Sequence, residues 1–365
     1  MPHHLHRKQR RLTQPAFHPA RLPGYAQVMA EQIASVTDSW RQDRPIDVLA
    51  AMQTVTAHSL VTTVLANTVH DSASLHTMLD DLGTVVRSFS LRTFLPPPLN
   101  RLPTAGHRRY RRAQTRLRKA IGSVVADRRA GATDHGDLLS ALLAARDPTA
   151  HGSTHQSLSP TELTDQCASF FGAGTDTTAA ALAWARYLVA LHPDIEDRLH
   201  AEVDSVAGGR PPTFEDIPRL ELTGRVITET LRLYPPIWML SRVATCDTQL
   251  GGHPIPSGAT VLYSPYLVHH RPDLYADPER FDPDRWEDGQ ATLRPSRGRL
   301  VPFGAGSRKC IGDTFAMTEA TLALATIAAR WRLEPVPGLR VRFSPAAILA
   351  PQGLSTLPRS RTATP

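Results

Sequence analysis

Apolar positions recur at helical spacing along most of this chain, and the texture changes only past two consecutive prolines, Pro235 and Pro236. Over 24–40 and again over 48–70 the apolar residues return every three to four positions, which predicts two helices with a buried face. The Pro-rich stretch 94–103 predicts a linker, and 108–129 follows as a long basic helix. Segment 146–159, rich in Gly, Ser, Thr and His, predicts a loop. Ser159-Pro160-Thr161-Glu162 then supplies a capping residue with proline at the first helical position. That helix can run to about Leu191, just ahead of Pro193. Beyond Pro236, strands are predicted at 244–255, around the Gly251-Gly252 turn, and at 259–263. Irregular Pro-rich chain fills 271–299, a helix is predicted at about 314–331, and short strands close the chain. With no fixed-period repeat and no linker long enough to divide it, 1–365 reads as one mainly α domain with small β-sheets.

Composition narrows the function classes. Lysine and arginine number 41 against 34 acidic residues, a net charge of +7 that raises a nucleic-acid reading. The densest cluster, Arg108, Arg109, Arg111, Arg112, Arg116, Arg118 and Lys119, lies along one predicted helix without the interleaved set of stacking aromatic residues that RNA readers carry. It therefore reads as a solvated face, and no nucleic-acid partner is expected. The run 48–70, free of Asp, Glu, Lys and Arg, contains Gln53, His58 and six Ser or Thr hydroxyls, so a buried helix is expected there and no membrane span. The basic N-terminus is followed by no apolar stretch of the secretory kind. Cys167, Cys246 and Cys310 cannot all pair and show no metal-site spacing. A cytoplasmic monomer is the expectation. His3, His4, His151 and His155 read as solvated or loop residues, and Asp80-Asp81 lacks the further acid of a metal-binding terpene cyclase motif.

Chemistry concentrates at 303–312. Phe303, Gly306, Arg308, Cys310 and Gly312 form the string F-x-x-G-x-R-x-C-x-G just ahead of an apolar helical run. A cysteine in a Gly-rich loop at a helix N-terminus meets backbone N–H donors and positive partial charge, which favour a thiolate. Such a thiolate suits a proximal ligand of haem iron. The loop resembles that of the cytochrome P450 monooxygenases, and further motifs extend the resemblance from His6 to the end of the chain.

Read alone, Ala173-Gly-Thr-Asp176-Thr177-Thr178 is poor helix-interior sequence, either a bent core helix or a groove. The resemblance makes it the oxygen-side groove, with Thr177 and Asp176 as the alcohol–acid pair that manages protons. Glu229 and Arg232, three apart, would by themselves be a surface ion pair. The resemblance adds Arg285 from Phe281-Asp-Pro-Asp-Arg285-Trp286 and makes the three a structural triad behind the haem loop. Arg242 and Arg308 match positions that hold the haem carboxylates. His6 and Arg10, four apart on one helix face, match a further such pair. Phe170, Phe171, Ala173, Ile237, Trp238, Met239 and Leu240 are the expected apolar pocket residues.

The resemblance implies a P450 fold that starts near helix C, without the family's first helix, sheet 1 and helix B region. It implies haem b, with Cys310 as the axial iron ligand, and electrons from an external ferredoxin and its reductase. Arg7, Lys8, Arg11 and Lys309 are the expected docking cations. Within the family, the sequence is nearest to actinobacterial P450s that oxidise sesquiterpenes, so the expected reaction inserts one oxygen atom of O2 into an apolar terpenoid. A peroxide-driven oxygenase on the same fold and a non-catalytic truncated remnant are the alternatives.

Overall fold

A computed structural model of the chain describes residues 3–65, 77–85, 88, 104–131, 133–147, 149, 156–287, 299–338, 340–345 and 348–361. The predicted linker 94–103, the end of the helix predicted over 48–70, His151 and His155 lie outside the described residues.

The chain opens with α1 (His3–Thr13), α2 (Leu22–Asp38), β1 (Ile46–Asp47), α3 (Val48–Leu65) and α4 (77–85). Next come α5 (Ala105–Gly131), α6 (Leu138–Ala144), α7 (Pro160–Ala190), α8 (Pro193–Ala207) and α9 (Glu221–Leu233). Short strands β2 (Leu240–Val243), β3 (Thr248–Leu250), β4 (His253–Ile255) and β5 (Thr260–Tyr263) precede α10 (Pro265–His269) and α11 (Asp313–Arg330). Strands β6 (Trp331–Pro335), β7 (Arg342–Pro345), β8 (Leu349–Gln352) and β9 (Ser355–Ser360) end it. Among the described residues all pairings are antiparallel: a β1-β9-β6 sheet and the two-stranded pairs β2-β5, β3-β4 and β7-β8.

Helix α7 is the axis of the core. Its start is fixed reciprocally: Glu162 N–H donates to Ser159 Oγ at 3.2 Å and Ser159 N–H to Glu162 Oε2 at 2.8 Å. Its middle is a run of small buried residues, Ala179 to Ala181, Ala183 and Ala185, which lets α3, α5, α9 and α11 pack closely around it. Trp184 anchors the far end, stacked on Tyr234 with ring centroids 4.0 Å apart and donating Nε1–H to Leu349 O at 3.1 Å. Leu349 N–H in turn donates to Pro236 O at 2.9 Å, so α7, β8 and the chain leaving α9 are locked together. Helix α3 has the length and composition to cross a membrane, yet it packs between α2 and α7 and 61% of it is buried.

Two segments differ in detail from what their local sequence suggests. Helix α7 runs unbroken from Pro160 to Ala190 across the poor helix-interior sequence 173–178. Thr175 and Thr177 donate their hydroxyls to Phe171 O and Ala173 O, at 2.9 and 2.7 Å, one turn back without opening the helix. The strands predicted within 244–255 are shorter than expected: β2 ends at Val243, β3 begins only at Thr248, and Asp247 Oδ1 accepts Ser257 N–H at 2.8 Å. Only β3 and β4 form the expected hairpin, with Gly251 and Gly252 at φ 57° and 82°, values that a two-residue turn of this hand requires.

Candidate active site

The cysteine loop is shaped by its glycines. Gly304 and Gly306 adopt φ 68° and 69°, the left-handed region where a side chain is strained. They turn the chain so that Gly304 N–H reaches Val301 O at 3.0 Å and Cys310 N–H reaches Phe303 O at 2.9 Å. Gly312 has ordinary backbone angles and faces the Phe17 ring; a Cβ there would stand 3.6 Å from it.

Cys310 presents its thiol to a cavity of about 870 Å3, at the upper end of the range for ligand sites. The thiol is open to the cavity but enclosed by protein. Burial pushes its pKa up, and the Gly312 N–H only partly offsets this. The expected thiolate is therefore not set by the loop alone; it needs a cation in the cavity, such as a metal that deprotonates the thiol it binds.

The opposite demand, rigidity behind the loop, is met by a buried ionic network. Glu229 and Arg232 are both 0% exposed. Arg232 Nε and Nη2 donate to Glu229 Oε2 and Oε1 at 2.9 and 2.8 Å. Arg285 Nε and Trp286 Nε1 donate to the same carboxylate at 2.9 and 2.8 Å, and Asp282 N–H at 3.1 Å. Arg232 spends its remaining donors on the carbonyls of His269, Pro278 and Arg280. The shared carboxylate and the Arg232 guanidinium thus have their hydrogen-bonding capacity met, as buried charges require.

Along α7, Phe170, Ala173, Gly174, Thr177, Thr178 and Ala181 recur at helical spacing and line the same cavity as Cys310. Gly174 allows close approach to α3, since a Cβ there would lie 2.8 Å from Leu60 Cδ2. The groove thus comes from small residues on an unbroken helix. Asp176 is off the cavity wall and its Oδ1 accepts from Gln53 Nε2 of α3 at 2.9 Å.

Among the expected pocket residues, Phe170, Ala173, Ile237 and Leu240 are on the wall; Phe171, Trp238 and Met239 are not. Phe171 is one position, about 100° of helix, past Phe170 and is fully buried in the core. Met239 is 37% exposed, and Ser264 Oγ donates to Trp238 O at 2.6 Å. Phe303, Arg242 and Arg308 border the cavity, and Arg242 lies over the Tyr263 ring at 5.6 Å. His6 and Arg10 are not on its wall; Arg10 Nη1 donates to Lys309 O at 2.7 Å and so braces the loop from outside. Of the expected docking cations, Arg11 is held by Asp147 at 2.9 and 3.0 Å and Lys309 pairs with Asp313.

Sequence reasoning missed three residues. Gln53 and His269 carried no motif. Glu319, a lone acid within an apolar run, was the visible signal. It is 2% exposed on the cavity wall, and burial pushes its carboxyl up to about 8 despite the nearby Ser59 hydroxyl.

The thiol inside the cavity, the apolar walls and the two guanidinium groups at its border fit an iron porphyrin with two carboxylates. The sequence profile described as Cytochrome P450 matches residues 2–358. The chain is 45% identical over 338 residues to cyclooctat-9-en-7-ol 5-monooxygenase of Streptomyces melanosporofaciens, covering 91% of this chain and 72% of that one. It is 38% identical over 341 residues to pentalenene oxygenase of Streptomyces avermitilis, covering 93% and 74%. The crystal structure of a cytochrome P450DA heme domain superposes with a TM-score of 0.84 at 27% identity, covering 96% of this chain and 76% of that one.

Proposed function

The chain belongs to the cytochrome P450 family, whose members carry haem b, and on that premise we propose that this monooxygenase hydroxylates a cyclic terpenoid. The observation that carries the reading is the single cavity shared by the Cys310 thiol and the Thr177 face of α7.

When bound, haem supplies the activation of O2 and the oxidation of a C–H bond. Cys310 would hold its iron and Arg242 and Arg308 its carboxylates, each a charged pairing that an apolar cavity makes strong. Thr177 Oγ1 holds a proton at the cavity wall, currently donated to Ala173 O, and can turn it toward a reacting oxygen. Asp176, off the cavity wall and accepting from Gln53 through Oδ1, acts as a proton reservoir one step removed from that hydroxyl. Phe17, Leu60, Leu82, Val85, Ile237 and Ile348 exclude water and suit a hydrocarbon skeleton with few polar groups.

Electrons come from a separate carrier, a ferredoxin with its reductase, in the cytoplasm. Of the four expected docking cations, Arg11 and Lys309 are already neutralised, and exposed Arg7 and half-buried Lys8 receive an acidic carrier. The test is turnover of cyclic terpenes by the haem-loaded chain with ferredoxin, reductase and O2. A product heavier by one oxygen, labelled from 18O2, supports the reading. Label entering only from peroxide contradicts it.

A further inference from the structure

His269 ends α10 and is 0% exposed, yet both of its ring nitrogens are engaged. Val301 N–H donates to His269 Nε2 at 2.9 Å. A nitrogen that accepts from an amide carries no proton, so in the neutral ring the proton is on Nδ1. Nδ1 stands 3.1 Å from Arg232 O and donates to it. Arg232 returns the contact, its Nη1 donating to His269 O at 3.0 Å. Burial keeps the ring neutral, with its pKa near 3. The two arginine-network residues and this imidazole are therefore one assembly.

What lies on the far side of that assembly is the cysteine loop. Val301 O accepts Gly304 N–H, and the next residue but one, Phe303, accepts Cys310 N–H. Hydrogen bonds joined by short covalent links thus connect Glu229 through Arg232, His269, Val301 and the Phe303–Gly304 peptide to the backbone of Cys310. Tyr275, Trp286 and Leu300 form a small separate apolar cluster over this junction, with the Tyr275 ring 6.5 Å from the imidazole. Without His269, the Val301 N–H would be a donor without that partner at the first turn of the loop.

We propose that His269 is the positioning residue that couples the buried Glu229–Arg232 pair to the Cys310 loop, fixing where the sulfur is presented. It never touches the reacting atoms. Its Nδ1–H tautomer is the functional form, because only that form donates to α9 and accepts from the loop together.

The test uses the full chain loaded with haem and compares His269→Phe and His269→Gln with wild type by amide hydrogen exchange. In His269→Phe, which keeps a ring and loses both nitrogens, exchange across 299–304 accelerates at least about tenfold, the equivalent of one lost hydrogen bond. Exchange in α7 stays at the wild-type rate. The reduced protein with CO loses part of its long-wavelength thiolate band. His269→Gln, which keeps a polar end, recovers part of both signals. Unchanged exchange across 299–304 in His269→Phe overturns the proposal. Equal acceleration in α7 and in the loop also overturns it, since the residue would then serve general stability. Absence of the thiolate band in wild type would count against the haem-thiolate reading instead, and the exchange contrast would still decide the role of His269.

Discussion

Arg285 donates Nε–H to Glu229 Oε1 at 2.9 Å, joining residues 56 positions apart at a carboxylate with no solvent exposure. The bond ties the irregular chain after α10 to helix α9. Because Arg232 shares the same carboxylate, neither charge can be removed alone without leaving the other buried. Glu229→Gln is expected to destabilise the domain by about 3–5 kcal/mol, the range for breaking a buried pair. Arg285→Ala, at a residue whose side chain is 14% exposed, should cost less. Denaturant unfolding of both variants checks the order.

The glycines of the cysteine loop are not equivalent. Gly306→Ala forces a side chain into φ 69°, at about 1–2 kcal/mol, and should weaken haem retention roughly 5- to 30-fold. Gly312→Ala meets only an ordinary contact with Phe17 and should retain haem like wild type. Rates of haem transfer to an acceptor protein measure both.

Glu319 gives stability a definite pH dependence. Its carboxyl is raised from 4.5 to about 8 by burial, so between those values the folded state binds more protons than the unfolded one. The stabilising contribution is therefore fully present below pH 4.5 and is lost as pH rises toward 8. Glu319→Gln should remove that part of the slope and be the more stable protein at pH 8, by on the order of a few kcal/mol. Thermal melts from pH 5 to 9 read the crossing.

Thr177→Ala leaves the α7 ladder intact and should change Tm little. The fraction of electrons recovered in hydroxylated product should fall at least about tenfold, a floor set below the roughly 10²–10⁴-fold that a positioned proton donor contributes to rate. Asp176→Asn, away from the cavity wall and still able to accept from Gln53, should have the smaller effect.

Much of this was legible in local sequence. The Ser159–Glu162 cap, the Gly251-Gly252 hairpin and the Glu229–Arg232 spacing each express a short-range rule, and each occurs in the structure. Cys310 and Thr177 share a cavity because their motifs sit on a loop and a helix that the fold brings together. What was not legible depended on helix phase or on distant partners. Phe170 and Phe171 differ by one position, and only packing decides which faces the cavity. Asp176 was placed with Thr177 by adjacency, yet Gln53, 123 residues away, draws it to α3. His269 has meaning only through Val301, a contact that no spacing announces.

The central claim is that one sulfur atom in the cavity binds iron. The most direct measurement is the absorption of the reduced, haem-loaded protein under CO, for wild type, Cys310→Ser and Cys246→Ser. The account predicts the long-wavelength thiolate band in wild type and in Cys246→Ser, and its loss in Cys310→Ser. Retention of that band by Cys310→Ser would contradict it.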